Sequence, residues 1–284
     1  MRFVKAHGTG NDFVLLPDLD GALELSAGLV QALCAPHLGL GADGVIRIAP
    51  PDPDLAAGQD ADVFMDYRNA DGGAVEMCGN GVRCVAKYVL DRGMVAGDTV
   101  RVLTRSGVKT VQAARGADGK VVRVRVDMGA PSPGGVNQPL DVRLDGVEQI
   151  VRITTLSMGN PHAVLVVDDV DAAPVRTLGP VIEGHPAFPD RTNVEFIAVP
   201  SRDRVEGRIW ERGVGETLAS GTGSSAMAVA AHLLGLADRR VTVALPGGEI
   251  AVEWTDDTLF MEGPAVEVAE GELGADWLAA VEDA

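Results

Sequence analysis

A strand-like approach, a glycine-rich turn and an apolar helix occur twice in this chain, and that repetition constrains the fold more than any other feature. The first copy is YRNADGGAVEMCGNGVRCVAKYV, residues 67–89, and the second is ERGVGETLASGTGSSAMAVAA, residues 211–231. The residue opening the turn, Cys78 or Ser220, lies nine positions after a polar side chain, Asn69 or Glu211. A second pair of segments, TGNDFVLL and MGNPHAVLVV, sets Asn11 against Asn160. One pair of matches is offset by 142 residues and the other by 149, so the halves slip by only seven between motifs. Two ordered matches with like flanks predict two similar α/β units, rather than one mixed-sheet domain with incidental glycine turns.

The expected boundaries are 1–127 for an N-terminal α/β domain, possibly completed by 268–284, and 128–267 for a C-terminal one. Each is expected to be a curved mixed or antiparallel sheet around a central helix. Alternation and turn signals predict strands at Arg2–Lys5, Phe13–Leu16, Val45–Ile48, Asp62–Arg68, Thr99–Thr104, Lys109–Ala113 and Val121–Met128, with helices at Leu25–Cys34 and Val82–Leu90. Pro50–Asp60 reads as an exposed loop. GAPSPGGVNQPLDVRLDG reads as a turn-rich crossing between domains. In the second half, strands are expected at Val151–Ser157, Ala163–Val167, Asn193–Val199, Arg204–Trp210, Val241–Ala244, Glu249–Glu253 and Thr258–Gly263. Helices are expected at Val175–Glu183, in poor phase, and at Ser225–Leu236. The closing acidic segment either packs back on the first domain or trails free. Two units of like build make a cleft, the usual place for a small ligand and the expected active site.

Composition narrows the partners. The formal charge of −17, from 41 acidic against 24 basic residues, argues against nucleic acid, which is bound by neutralising phosphates. Three cysteines, Cys34, Cys78 and Cys84, form no extracellular framework and suggest reduced thiols. The opening MRFVKAHGTGNDFVLL lacks a secretory pattern, and no run approaches the roughly 18 apolar residues of a membrane span. A cytoplasmic protein without a membrane partner is expected.

Glycines in CGNG let backbone N–H groups point outward, and the first-turn amides of the following helix lack intrahelical partners. Such an end favours an anion, whether a substrate carboxylate or an ionised cysteine. SGTG offers the same arrangement. Neither turn has the P-loop lysine or the dinucleotide glycine spacing. Opposed bases across a cleft suit removal of a proton α to a carboxylate and its return to the other face. No metal or cofactor pattern accompanies them; no HExxH and no zinc-spaced cysteine pair occurs. Cys34 and Cys84 read as small buried helix residues.

The other polar candidates also carry ordinary readings. Asn11, Asn69, Asn160 and Asn193 are turn or cap residues as readily as ligand contacts. His162 is a proline-adjacent turn residue, or an imidazole that helps a thiol ionise. Glu211 and Arg212 read as a surface pair, except that Glu211 mirrors Asn69.

Taken together, HGTGNDF, NADGGAVEMCGNGVRC, MGNPH, RTNVEF and ERGVGETLASGTG resemble the diaminopimelate epimerase family over nearly the whole chain. The resemblance implies cofactor-independent interconversion of LL- and meso-diaminopimelate in lysine biosynthesis, by two bases on opposite faces of the α-carbon. It also implies two pseudo-symmetric α/β domains and a homodimer. On this chain it makes Cys78 the first catalytic cysteine, with Asn69, Gly79 and Asn80 on one side of the substrate and Glu211, Gly221 and Thr222 on the other. It assigns Asn11, Asn160, Asn193 and Arg212 to the distal amino-acid end, and His162 and Glu211 to assisting the bases. Where some relatives carry a substrate-touching glutamine, this chain has Gly44. The larger departure is Ser220 in place of the second cysteine, because a hydroxyl is far less acidic than a thiol of pKa near 8.5. Three readings stay open: a natural epimerase that tolerates serine, with a lower kcat or a relay to water through Thr222 or Glu211; an engineered serine version of a two-cysteine enzyme; or a one-base relative that exchanges, eliminates or racemises another amino acid.

Overall fold

The structure is a computed structural model and describes residues 1–144 and 146–282. Its internal contacts divide the chain into two compact units, Met1–Val126 with Gly263–Ala284, and Asp127–Glu262. The first unit begins with strands β1 (Arg2–Gly8) and β2 (Asn11–Pro17), helix α1 (Ala27–Cys34) and strand β3 (Gly44–Ala49). The one-turn helix α2 (Pro53–Ala56), strand β4 (Val63–Asn69) and helix α3 (Gly79–Asp91) follow. Strands β5 (Thr99–Thr104), β6 (Gly107–Arg115) and β7 (Val121–Gly129) complete this stretch. Pairing is antiparallel for β1–β2, parallel for β2–β3, antiparallel for β3–β4, parallel for β4–β5, and antiparallel through β5–β6–β7.

The second unit contains β8 (Ser132–Pro133), β9 (Gln138–Leu144), β10 (Val147–Ser157), β11 (Pro161–Val166), helix α4 (Val175–Glu183) and β12 (Asn193–Ser201). It continues through β13 (Arg204–Glu211), β14 (Gly215–Thr217), helix α5 (Gly221–Leu233), β15 (Arg240–Leu245), β16 (Gly248–Trp254) and β17 (Leu259–Pro264). The orientations repeat in the same order: β10–β11 antiparallel, β11–β12 parallel, β12–β13 antiparallel, β13–β15 parallel, and β15–β16–β17 antiparallel. A parallel pair needs a crossover. Here α1, α3, α4 and α5 each bridge one. The chain then re-enters the first unit as β18 (Val266–Glu272), antiparallel to β1, and helix α6 (Ala275–Glu282).

Helices α3 and α5 are each thirteen residues long and are buried on nearly every face. A helix apolar all round belongs inside, and here each is the centre of its unit with the mixed sheet curved about it. Phe13, Ile46 and Leu103 in the first unit and Phe196, Ile209 and Met227 in the second are fully buried. The sheets are therefore mixed, not antiparallel, as two parallel pairings in each unit require.

Several expected boundaries move, for identifiable reasons. Both central helices start earlier than expected, at Gly79 and Gly221 rather than Val82 and Ser225. Glycine reads as turn by propensity, but the first intrahelical bonds, Val82 N to Cys78 O and Ser224 N to Ser220 O, both 2.9 Å, already enclose these glycines, and nothing larger fits at two of them. A Cβ on Gly81 would lie 2.8 Å from Ile46 Cδ1, and one on Gly223 would meet Ile209 and Ser220. The region expected to be a bare crossing contains strand β9, whose Leu140 and Val142 face the second unit's core. Within the loop at 50–60, Asp52 caps α2 by accepting from the Asp54 and Leu55 amides, with Pro53 in the first turn. The acidic tail does not trail. Trp277, Leu278 and Val281 of α6 pack on the core that includes Leu29 and Leu33 of α1, and Trp277 Nε1 donates to Leu38 O at 2.9 Å. Among the described residues, no helix is long and apolar enough to cross a membrane.

Candidate active site

In the first unit, Thr9 (φ 57°) and Gly10 (φ 82°) turn the chain between β1 and β2 and set Asn11 at the head of β2. The Asn11 amide is held at both ends. Its Nδ2 donates to Asp43 Oδ2 at 2.6 Å, and its Oδ1 accepts from Asn80 Nδ2 at 3.1 Å. The same oxygen receives the Cys78 thiol, with Sγ 3.8 Å away. Cys78 is the extended cap residue of α3 (φ −139°, ψ 114°) and makes no side-chain cap bond to its own first turn. The first intrahelical bond runs from Val82 N to Cys78 O at 2.9 Å. The amides of Gly79, Asn80 and Gly81 therefore have no partner within the helix. Asn69 ends β4, and its Oδ1 accepts from the Tyr67 hydroxyl at 2.8 Å.

Beneath this turn lies Arg83, fully buried on α3. Its Nη2 donates to Thr9 Oγ1 at 2.8 Å and its Nε to Pro264 O at 3.1 Å, which ties the β1–β2 turn to the helix. Burial pulls its guanidinium down to about 10. The other two thiols are unsuited to chemistry, as expected: burial pushes Cys84 up to about 12 and Cys34 up to about 11. Gly44 leaves no room for a longer side chain, since a Cβ there would lie 2.6 Å from Tyr67 Cε2.

In the second unit, Ser220 caps α5 in the same extended conformation (φ −137°, ψ 131°). Its hydroxyl, however, is engaged. Oγ accepts from Gly223 N at 3.2 Å, and the hydroxyl is near enough to the Glu211 carboxyl to pull its pKa down. Glu211 Oε1 also accepts from Thr217 Oγ1 at 2.6 Å. Burial pushes the Glu211 carboxyl above its ordinary range, against the opposing hydrogen bonds from Thr217 and Ser220. A carboxyl of raised basicity beside a hydroxyl has the chemistry that a general base and its proton donor need.

His162 sits on β11 and is buried, as is Glu195 on the neighbouring β12. Its Nδ1 lies 2.5 Å from Glu195 Oε1, and its Nε2 lies 2.9 Å from Asn160 Oδ1. Asn160 Nδ2 reaches Thr222 Oγ1, in the first turn of α5, at 3.4 Å. The ring is thus wired to the turn led by Ser220 and belongs to the unit that does not contain Cys78. Asn193 is buried with its amide committed to backbone: Nδ2 donates to Pro161 O and Oδ1 accepts from Arg212 N, both at 2.9 Å. The Arg212 side chain is exposed and donates from Nη1 to Asp190 O at 3.1 Å.

The structure therefore gathers Asn11, Cys78, Gly79 and Asn80 at one helix N-terminus, with Asn69 at the end of the adjoining β4. It gathers Asn160, His162, Glu211, Ser220, Gly221 and Thr222 at the other, with Asn193 and Arg212 bonded to each other nearby. Sequence reasoning passed over Glu195, Asp43, Tyr67 and Thr217. Glu195 carried one legible signal, a charge inside the otherwise apolar run VEFIAV of a strand buried on both faces.

The fold of mixed sheets around central helices is shared with solved structures of low sequence identity. A probable proline racemase from Agrobacterium radiobacter K84 superposes with a TM-score of 0.74 at 16% identity, covering 97% of this chain and 93% of that one. Sequence goes further. The profile of the family described as diaminopimelate epimerase matches residues 3–133 and 154–268. Proteins named diaminopimelate epimerase from Pelotomaculum thermopropionicum and Heliobacterium modesticaldum are 46% and 45% identical, over 96% of this chain and 98% and 99% of theirs. This chain belongs to the diaminopimelate epimerase family.

Proposed function

We infer that the protein is a diaminopimelate epimerase, interconverting the LL and meso forms in lysine biosynthesis without pyridoxal phosphate. Family membership supports the substrate. The observation that carries the mechanism is that two helix N-termini of one build each present a proton-bearing side chain, Cys78 Sγ and Ser220 Oγ. Inversion at carbon requires one group to take the α-proton and another to supply a proton to the opposite face. Cys78 serves one face as thiolate or thiol, and Ser220 serves the other through Glu211. When Ser220 gives its proton to the α-carbanion, it recovers one from protonated Glu211. In the reverse direction Glu211 accepts the proton that Ser220 takes from carbon. The serine thus acts as a relay, and the base strength it lacks is supplied by the carboxylate.

The helix N-termini that begin at Gly79 and Gly221 suit the substrate's α-carboxylate. On this reading Asn69 and Glu211 would read the ammonium, and Asn11, Asn160, Asn193 and Arg212 the distal amino-acid end. The domains expected from sequence, 1–127 completed by the tail and 128–267, would each supply one half of this machinery. The same reading makes the protein a cytoplasmic homodimer acting on a small diamino diacid, with neither nucleic acid nor membrane as partner. Sedimentation equilibrium tests the dimer.

Incubation with LL-diaminopimelate in deuterated water tests the chemistry. The expected result is meso product with one deuterium at the inverted carbon. Deuterium in recovered substrate with no inversion would mean that Ser220 cannot serve its face, leaving a one-base exchange enzyme.

A further inference from the structure

The carboxyl group of Glu195 takes no part in the reaction just described, yet it is completely buried and lies 2.5 Å from His162. Two proton arrangements fit the chain Glu195–His162–Asn160–Thr222. In one, the pair keeps a proton beyond that of neutral imidazole plus carboxylate. Nε2–H then donates to Asn160 Oδ1, the extra proton lies between Nδ1 and Glu195, and Asn160 turns its NH2 toward Thr222. In the other, the pair has lost that proton. Nδ1–H donates to a carboxylate, Nε2 becomes an acceptor, and Asn160 must reverse, presenting its carbonyl to the turn.

The surroundings choose between them. The first state has no net charge, whereas the second leaves one uncompensated negative charge in a dry interior. Among the described residues packed against the pair, no cation offsets it. Across β13, Glu195 is opposite Ile209, and on β11 it is opposite Val164. Helix α5, packed over these strands, brings Ser224, Ser225 and alanines, with His232 only in its last turn. Among the described residues, Glu211 also acts on this pair, and it is itself acidic. Oε2 of Glu195 has no hydrogen-bond partner, consistent with a group that is not a bare carboxylate. Burial also holds the Glu195 carboxyl above its ordinary range, against the pull of His162.

We propose that Glu195 is a positioning residue: by keeping a proton on its pair with His162, it locks the Asn160 amide with its NH2 presented at the turn led by Ser220. The consequence for substrate binding rests on the epimerase reading above. The lock itself does not, because it follows from the buried chain alone. One hydrogen of the NH2 goes to Thr222, and the other is aimed to donate to an acceptor such as a substrate carboxylate.

The test has two arms. Nitrogen-15 NMR of the histidine-labelled protein reads His162 among only five histidines. The expected signature at neutral pH is a protonated Nε2 and a strongly downfield proton at Nδ1; Glu195→Gln should lose the downfield Nδ1 proton and keep the proton on Nε2. An unprotonated Nε2 in the unaltered protein would overturn the proposal whether or not the protein turns over substrate. In the second arm, Glu195→Met keeps the volume and removes the hydrogen bond. It is expected to raise KM about tenfold, the worth of one lost hydrogen bond, with kcat within about threefold. Glu195→Gln is expected to restore KM, because its amide can donate to Nδ1 and keep the proton on Nε2. A Met variant with unaltered KM overturns the proposal. Failure of the unaltered protein to epimerise would sink the functional reading while leaving the NMR result decisive for the lock.

Discussion

Phe13 and Ile46 in the first unit occupy the places that His162 and Glu195 occupy in the second. Phe13 is opposite Gly44 across the parallel pair β2–β3, as His162 is opposite Asn193 across β11–β12. Two positions on, Ile46 is opposite Tyr67, and Glu195 is opposite Ile209. All four side chains are buried to about the same degree. Yet Phe13 meets Tyr67 edge-on, with ring centroids 5.6 Å apart, while His162 and Glu195 form a hydrogen-bonded pair. One backbone thus supports an inert apolar floor below the thiol and a proton-holding floor below the hydroxyl. The difference is chemical sense. A thiol ionises readily enough to act with little help, whereas a hydroxyl needs a carboxylate against it and donors held in fixed orientation around it.

The comparison can be broken most severely at Cys78. Cys78→Ala should lower both α-proton exchange and inversion by about 10²–10⁴-fold, the range for a positioned acid–base group, with unchanged circular dichroism. Were exchange to survive, the two turns would not be dividing the work. Glu211→Gln should cost about 10²-fold or more in kcat and should also remove the acid limb of the unaltered enzyme. That limb belongs to the direction in which Ser220 takes the α-proton, because a Glu211 carboxyl raised by burial is then protonated, and unable to accept, while ordinary carboxylates are still ionised. The stability sign is opposite. A raised carboxyl favours folding fully below its unfolded pKa and loses that contribution as pH rises through the folded value. Glu211→Gln should therefore melt higher than the unaltered protein at neutral pH, with the gain vanishing in acid.

Grafting the first unit's floor into the second sharpens the comparison thermodynamically. Glu195→Ile alone should destabilise by about 1–3 kcal/mol by leaving the buried imidazole unpaired. Adding His162→Phe should recover most of that loss, since an apolar pair often replaces a buried polar one at little cost. A urea-melt double-mutant cycle measures it, and additive losses would mean that the two residues do not act as a pair. Ser220→Cys should raise kcat by up to about 10²-fold if the hydroxyl limits its face, and no gain would mark the Glu211 relay as sufficient. Smallest of all, Asp43→Asn should raise KM only a few-fold, because an amide oxygen can still accept from Asn11. Steady-state kinetics in both directions reads each of these activity changes.

Much of this was legible in the chain because glycine turns, strand alternation and apolar helix runs are local patterns. They announced two repeated units, placed Cys78 and Ser220 at matching turns, and set Asn69 against Glu211. The family motifs then carried the substrate. Less visible were the starts of α3 and α5, because clearance from Ile46 and Ile209 decides them and those residues are far away in sequence. The tail's return as β18 and α6 stayed open between packing back and trailing, since its acidic strand finds its partner only at the other end of the chain.

What the sequence determined by itself was the repetition, the identity of the two lead residues and the family. Only the tertiary structure decided what each polar group does. Whether Ser220 is a spectator or a relay depends on Glu211 reaching it, and whether His162 helps a thiol or holds an amide depends on which strand lies beside it. Hydrogen-bond partners and dielectric surroundings belong to three-dimensional neighbourhoods, and a run of letters does not record them.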